Sequence, residues 1–103
     1  MRRPVNCETL KQAEVVLRAL VPLAHPCRIV RTGKLVDAWG SCEFKENPSR
    51  FLIRIAKGVS VDQEIETLCH EWAHCRAWIG QTHAHSAYWG VAFSEAYQAV
   101  FDE

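Results

Sequence analysis

The stretch Ser60-Val61-Asp62-Gln63-Glu64-Ile65-Glu66-Thr67-Leu68-Cys69-His70-Glu71-Trp72-Ala73-His74-Cys75-Arg76 organises the whole chain. Ile65, Leu68, Trp72 and Cys75, with Ile79 beyond them, recur at three- and four-residue steps, the spacing of one helix face. Ser60 followed by Gln63 forms a capping box, and Asp62 and Glu64 suit the positive end of a helix dipole. Gly80 fits the position just past the helix end. The pattern predicts a helix over about Val61 to Ile79.

Upstream, Leu10, Ala13, Leu17 and Leu20 share a helical spacing, predicting a first helix from about Glu8 to Val21. Asn6 or Thr9 can cap it, and Pro22 and Pro26 stop it. Three β-rich runs follow. Cys27 to Thr32 is a strand, and Gly33-Lys34 makes a turn. Leu35 to Phe44 is a second strand region, bent at Gly40. Phe51 to Ala56 is a third, with Phe51, Ile53 and Ile55 facing one way and Leu52 and Arg54 the other. The turn Glu46-Asn47-Pro48-Ser49 makes the strands on either side antiparallel neighbours. Ser86 can cap a last helix whose apolar face is Trp89, Ala92, Phe93, Ala96 and Val100. The expected fold is α+β: an N-terminal helix, a small three-stranded, mostly antiparallel sheet, the long central helix and a C-terminal helix, all in one domain.

Composition narrows the function classes. The chain has 103 residues, 49% of them hydrophobic and 23% charged, which excludes a disordered chain. Twelve Lys and Arg balance twelve Asp and Glu, so net charge gives no support for nucleic-acid binding. No apolar run approaches the roughly 18–20 residues needed to span a bilayer, and the N-terminus turns polar too soon for a signal peptide. The five cysteines (Cys7, Cys27, Cys42, Cys69 and Cys75) contain no Cys-x-x-Cys, so free thiols in a reducing cytoplasm are expected. A Cys27–Cys42 pair is the one disulfide left open. Four tryptophans exceed what a core this size needs and point to a groove or interface.

The central helix carries His70-Glu71-Trp72-Ala73-His74, an H-E-x-x-H pattern. Residues four apart lie about 40° apart around a helix, so both imidazoles project from one face and can share a Zn²⁺ ion. Glu71 lies about 100° from His70, placed to act as general base on water rather than as a ligand. Gln63, Thr67 and Ala77 on that face are polar or small. Cys69 and Cys75 point away from it and are expected to pack. One zinc per chain needs a third protein ligand, for which His83, His85, Glu95 and the distant His25 are candidates. His85 is preferred, because a loop eleven residues past His74 can fold back to present it. Glu95 falls at the edge of the apolar face of the last helix. The Phe51–Ile55 strand is expected to be an edge able to pair with an extended peptide. His83 and Tyr88 are candidate oxyanion donors.

From about Trp39 to Phe101, some three-fifths of its length, the chain resembles the SprT-like and YgjP-type group of zincin metallopeptidases. The resemblance is carried by the Phe51–Ile55 strand, by Thr67-Leu68-Cys69-His70-Glu71-Trp72-Ala73-His74 and by His85-Ser86-Ala87-Tyr88-Trp89. It implies a minimal zincin-like domain with His70, His74 and His85 as zinc ligands and Tyr88 and Trp89 packing the last helix on the motif helix. It also implies hydrolysis of a peptide or protein substrate, with Glu71 taking a proton from the attacking water and returning it to the leaving amine. The chain lacks the zinc ribbon and basic segments of group members that act on DNA-bound proteins, and looks like a minimal catalytic core of bacterial or phage origin. Two other classes are to be weighed: a non-catalytic, zinc-stabilised binding or regulatory module, and a nucleic-acid-associated protease acting with a partner.

Overall fold

Local capping signals set where the helices begin. Thr9 Oγ1 accepts the Gln12 N–H at 3.1 Å and starts α1, Leu10–Leu20. Ser60 Oγ accepts the Gln63 N–H at 3.1 Å and starts α2, Val61–Arg76. Each side-chain oxygen satisfies one of the amide donors that a first helical turn leaves open. Between the helices lie β1, Cys27–Thr32, β2, Gly40–Lys45, and β3, Arg50–Ala56; α3, Ala87–Phe101, ends the fold. The structure is a computed structural model that describes residues 9–33, 39–78 and 87–101. Asn6, Cys7, Glu8, Lys34, Leu35, Ile79, Gly80, His83, His85 and Ser86, all named above, lie outside the described residues.

The three strands form one sheet in the order β1-β3-β2. β2 and β3 are an antiparallel hairpin across the Asn47-Pro48 turn, with Cys42 opposite Ile53, as the turn composition predicts. Asn47 takes φ +61°, a left-handed conformation that asparagine tolerates. Arg50 Nη1 closes the turn by donating to Pro48 O at 2.7 Å. β1 pairs with the other side of β3 in parallel, Ile29 opposite Ile53. The sheet is therefore mixed rather than mostly antiparallel, and β3 lies at its centre instead of at an edge. Burial accounts for this order. Phe51, Ile53 and Ile55 are almost wholly buried, and Leu52 and Arg54 on the opposite face are half-buried. The outer strands carry Arg28 and Arg31 on β1 and Glu43 and Lys45 on β2, the charged composition that suits exposed edges.

The core forms between the buried face of β3 and the Ile65, Leu68, Cys69 and Trp72 face of α2. Ala13 and Leu17 of α1 and Ala96, Val100 and Phe101 of α3 close it. Leu20 departs from the expected stripe and is 67% exposed. α1 caps at Val21, and the turn there sends Val21, not Leu20, into the core. The Trp72 indole N–H donates to Val21 O at 2.7 Å, and Arg76 Nη1 donates to Pro22 O. Arg18 lies over the Trp72 ring at 5.6 Å while its Nη2 donates to Cys27 O at 2.6 Å. Arg31 on β1 forks onto the buried Glu64 of α2 through two bonds of 2.9 Å. These polar ties fix α2 against α1 and β1.

Trp72→Phe keeps an aromatic ring in the core but leaves Val21 O without its donor and a gap where the larger indole packed. Losing a partner to a buried acceptor costs about 1–3 kcal/mol. The urea midpoint should fall accordingly with the slope of the transition unchanged, as equilibrium unfolding followed by circular dichroism would show.

Candidate metal and hydrolytic site

Helix α2 exposes His70 and His74 partly on the face away from the Trp72 side. Their Nε2 atoms are 3.3 Å apart and their ring centroids 4.9 Å apart. The gap is of hydrogen-bond length, with the donor and acceptor roles of the two nitrogens set by the ring tautomers. The same separation tests the fit of zinc. Two nitrogens bound at about 2.0–2.1 Å to a tetrahedral ion stand about 3.3–3.4 Å apart, so the spacing of the pair matches that of two ligands.

α3 covers this pair with aromatic rings. The Trp89 ring lies 5.1 Å from His70 and 5.5 Å from His74, and it stacks on Phe93 at 5.0 Å with an interplanar angle of 6°. Trp89 Nε1 also donates to His70 O at 3.4 Å. Trp89 thus packs α3 on the motif helix as expected. Tyr88 does not: it is 68% exposed. Helical geometry separates neighbouring residues by about 100°, so only one of the two can face α2.

Glu71 is only 7% exposed, and burial raises its carboxyl from 4.5 to about 7. β2 causes that burial. A Cβ built on Gly40 would meet Thr67 Cγ2 at 2.6 Å and Glu71 Cγ and Oε2 at 3.1 Å. Thr67 cannot swing aside, because it is β-branched and its hydroxyl donates to Gln63 O at 2.8 Å. The glycine expected to bend the second strand is therefore where the strand meets the Glu71 side chain. Trp39 and Gly40, with Gln63, Glu66, Thr67, His70, Glu71 and Phe93, line a cleft of about 290 Å³. Trp39 is 55% exposed at its rim, where an unneeded tryptophan suggests a groove. The edge strand beside this cleft is β2, not the Phe51–Ile55 strand.

The other candidate ligands are dispersed. Glu95 is exposed and faces Arg76, with Oε1 at 3.9 Å from Nε, in the last turn of α2. His25 packs on Phe44 and Phe51, at ring distances of 5.5 and 5.8 Å. Among the described residues, no three His, Cys, Asp or Glu side chains converge as a metal site. His83 and His85 fall outside those residues. Cys69 and Cys75 are buried away from the imidazoles, as expected. Cys27 and Cys42 are free thiols, and the sulfur nearest Cys42 belongs to Cys75, not Cys27.

Two outcomes follow for the metal-free protein. Gly40→Ala forces β2 away from Thr67 and Glu71; overpacking of this kind costs about 1–3 kcal/mol and should lower the thermal midpoint. Glu71 binds its proton more tightly folded than unfolded, so its ionisation costs stability progressively between pH 4.5 and about 7, and fully above that. Glu71→Gln should therefore stabilise the metal-free chain by up to about 3 kcal/mol at pH 8 and leave it unchanged at pH 4, read from unfolding curves at both pH values.

Comparison of the chain with protein-family models, with curated proteins and with solved structures finds no match in any of the three.

Proposed function

We propose that this chain is a zinc-dependent metallopeptidase of zincin type, with His70 and His74 as two metal ligands and His85 as the third. The observation that carries the reading is the 3.3 Å separation of the two Nε2 atoms, beside a buried glutamate on the next position of the same helix. Bound zinc supplies a Lewis acid that polarises a peptide carbonyl and makes water a better nucleophile at neutral pH. The chain's own residues supply the rest. Glu71, held by Gly40 and Thr67 at the wall of the cleft, takes the proton of the attacking water and delivers it to the leaving amine. Among the described residues Gly40–Lys45 is an outer strand with no strand beyond it, so an extended peptide lying in the cleft can continue the sheet there. Trp39 and Phe93 give the cleft apolar walls, and Trp89 shields the imidazoles from bulk water on the α3 side.

Peptide or protein is thus the proposed substrate, and the cytoplasm, which keeps thiols reduced, the proposed compartment. Among the described residues no helix is long and apolar enough to cross a membrane.

The test is zinc content together with hydrolysis of a quenched-fluorescent peptide library. Wild type should bind one zinc per chain, and His70→Ala, His74→Ala and His85→Ala should each lose it. Glu71→Gln should keep the zinc and lose hydrolysis by a factor of about 10² or more. Full hydrolysis by Glu71→Gln would remove Glu71 from the role of base. Zinc bound by wild type without cleavage of any peptide would favour the zinc-stabilised binding module, and absence of zinc would overturn both readings.

A further inference from the structure

Three thiols on three different elements lie on the core face of the sheet. Cys42 Sγ on β2 lies 2.7 Å from Cys75 Sγ in the last turn of α2. Cys27, the first residue of β1, belongs to the same buried cluster, and its thiol donates to Arg28 O at 3.9 Å. Both partners of the Cys42–Cys75 contact are held in place. Cys42 sits in the ladder opposite Ile53, and Cys75 follows Trp72 by one helical turn, on the side fixed by the bonds to Val21 and Pro22. A disulfide bond is about 2.05 Å long, so the two sulfurs need to approach by well under an ångström.

We infer that Cys42 and Cys75 form a disulfide-competent pair, a covalent modification site that ties edge strand β2 to the motif helix. Access sets the order of events. Cys75 and Cys27 are 3% and 8% exposed, and Cys69 is fully buried with its thiol on Ala96 O. Cys42 is half-buried, so a small oxidised disulfide such as glutathione disulfide reaches it first. Its sulfur attacks the reagent's S–S bond, giving a mixed disulfide at Cys42 and one glutathione thiol. Cys75 then attacks Cys42 Sγ, its proton passing to the departing glutathione thiolate. Two protein thiols are oxidised to one disulfide, and one glutathione disulfide is reduced to two thiols. The cross-link joins residues 33 positions apart and clamps the strand whose Gly40 abuts Glu71. The inference stands apart from zinc binding and does not require it.

The test treats the purified chain with glutathione disulfide, blocks remaining thiols with iodoacetamide and maps the peptides by mass spectrometry without reduction. Wild type and Cys27→Ser should yield a linked Cys42–Cys75 peptide in place of the two free ones. Cys75→Ser should trap glutathione on Cys42. Cys42→Ser should leave Cys75 carrying the iodoacetamide label, or unlabelled until unfolding, and never glutathione. Glutathione retained on Cys42 of the wild type, or a Cys42 and Cys75 both still free when Cys75→Ser accumulates the adduct, would overturn the inference; so would a linked Cys27–Cys75 peptide as the main product.

Discussion

Helix α2 has to bury two faces at once, and most of the molecule is arranged around that constraint. One face, Ile65, Leu68, Cys69 and Trp72, meets the Phe51-Ile53-Ile55 face of β3 and forms the core. The flank with Thr67 and Glu71 is polar, yet both residues are also buried, because β2 comes down on them at Gly40. Only His70 and His74, among the motif side chains, stay partly open. A strand backbone without a Cβ is what lets a sheet edge approach a helix that closely. With any larger residue there, either β2 would lift from the sheet or Glu71 would swing out of the cleft wall.

The polar ties follow from the same arrangement. Trp72 is deep enough that its indole N–H needs an acceptor, and the carbonyl of Val21, freed at the end of α1, provides it. Arg76 uses the next carbonyl, of Pro22. Glu64 is buried at the other end of α2, where an unpaired carboxylate would be costly, and the Arg31 guanidinium meets both of its oxygens. The long helix is thus pinned near both ends, and the histidines between are carried on a rigid support. Such a support suits metal ligands, whose spacing must hold to a fraction of an ångström.

α3 contributes an aromatic row. Trp89 and Phe93 stack on each other and stand against the imidazoles, while Tyr97 and Phe101 continue the row toward the core. A surface that is apolar beside the histidines and open at Trp39 describes a cleft with one shielded wall and one accessible rim. This arrangement also explains why Tyr88 and Trp89, adjacent in sequence, have different environments: one rings the site and the other meets solvent.

Much of this was determined locally and could be read from the residues in order. The caps at Thr9 and Ser60, the alternation along Phe51–Ile55 and the i, i+4 histidines express backbone and side-chain preferences that act over one or two turns. The antiparallel hairpin was legible for the same reason, since its turn residues adjoin both strands. Strand order was not, because β1 joins β3 in parallel across an intervening strand and only competition for the most buried position puts β3 in the centre. It took the tertiary structure to decide that β2 is the strand beside the histidine helix, that Gly40 presses on Glu71, and that Cys42 meets Cys75 rather than Cys27. Each of these depends on residues some thirty positions apart meeting in the packed fold, and no periodicity within a single element encodes which edge faces which helix.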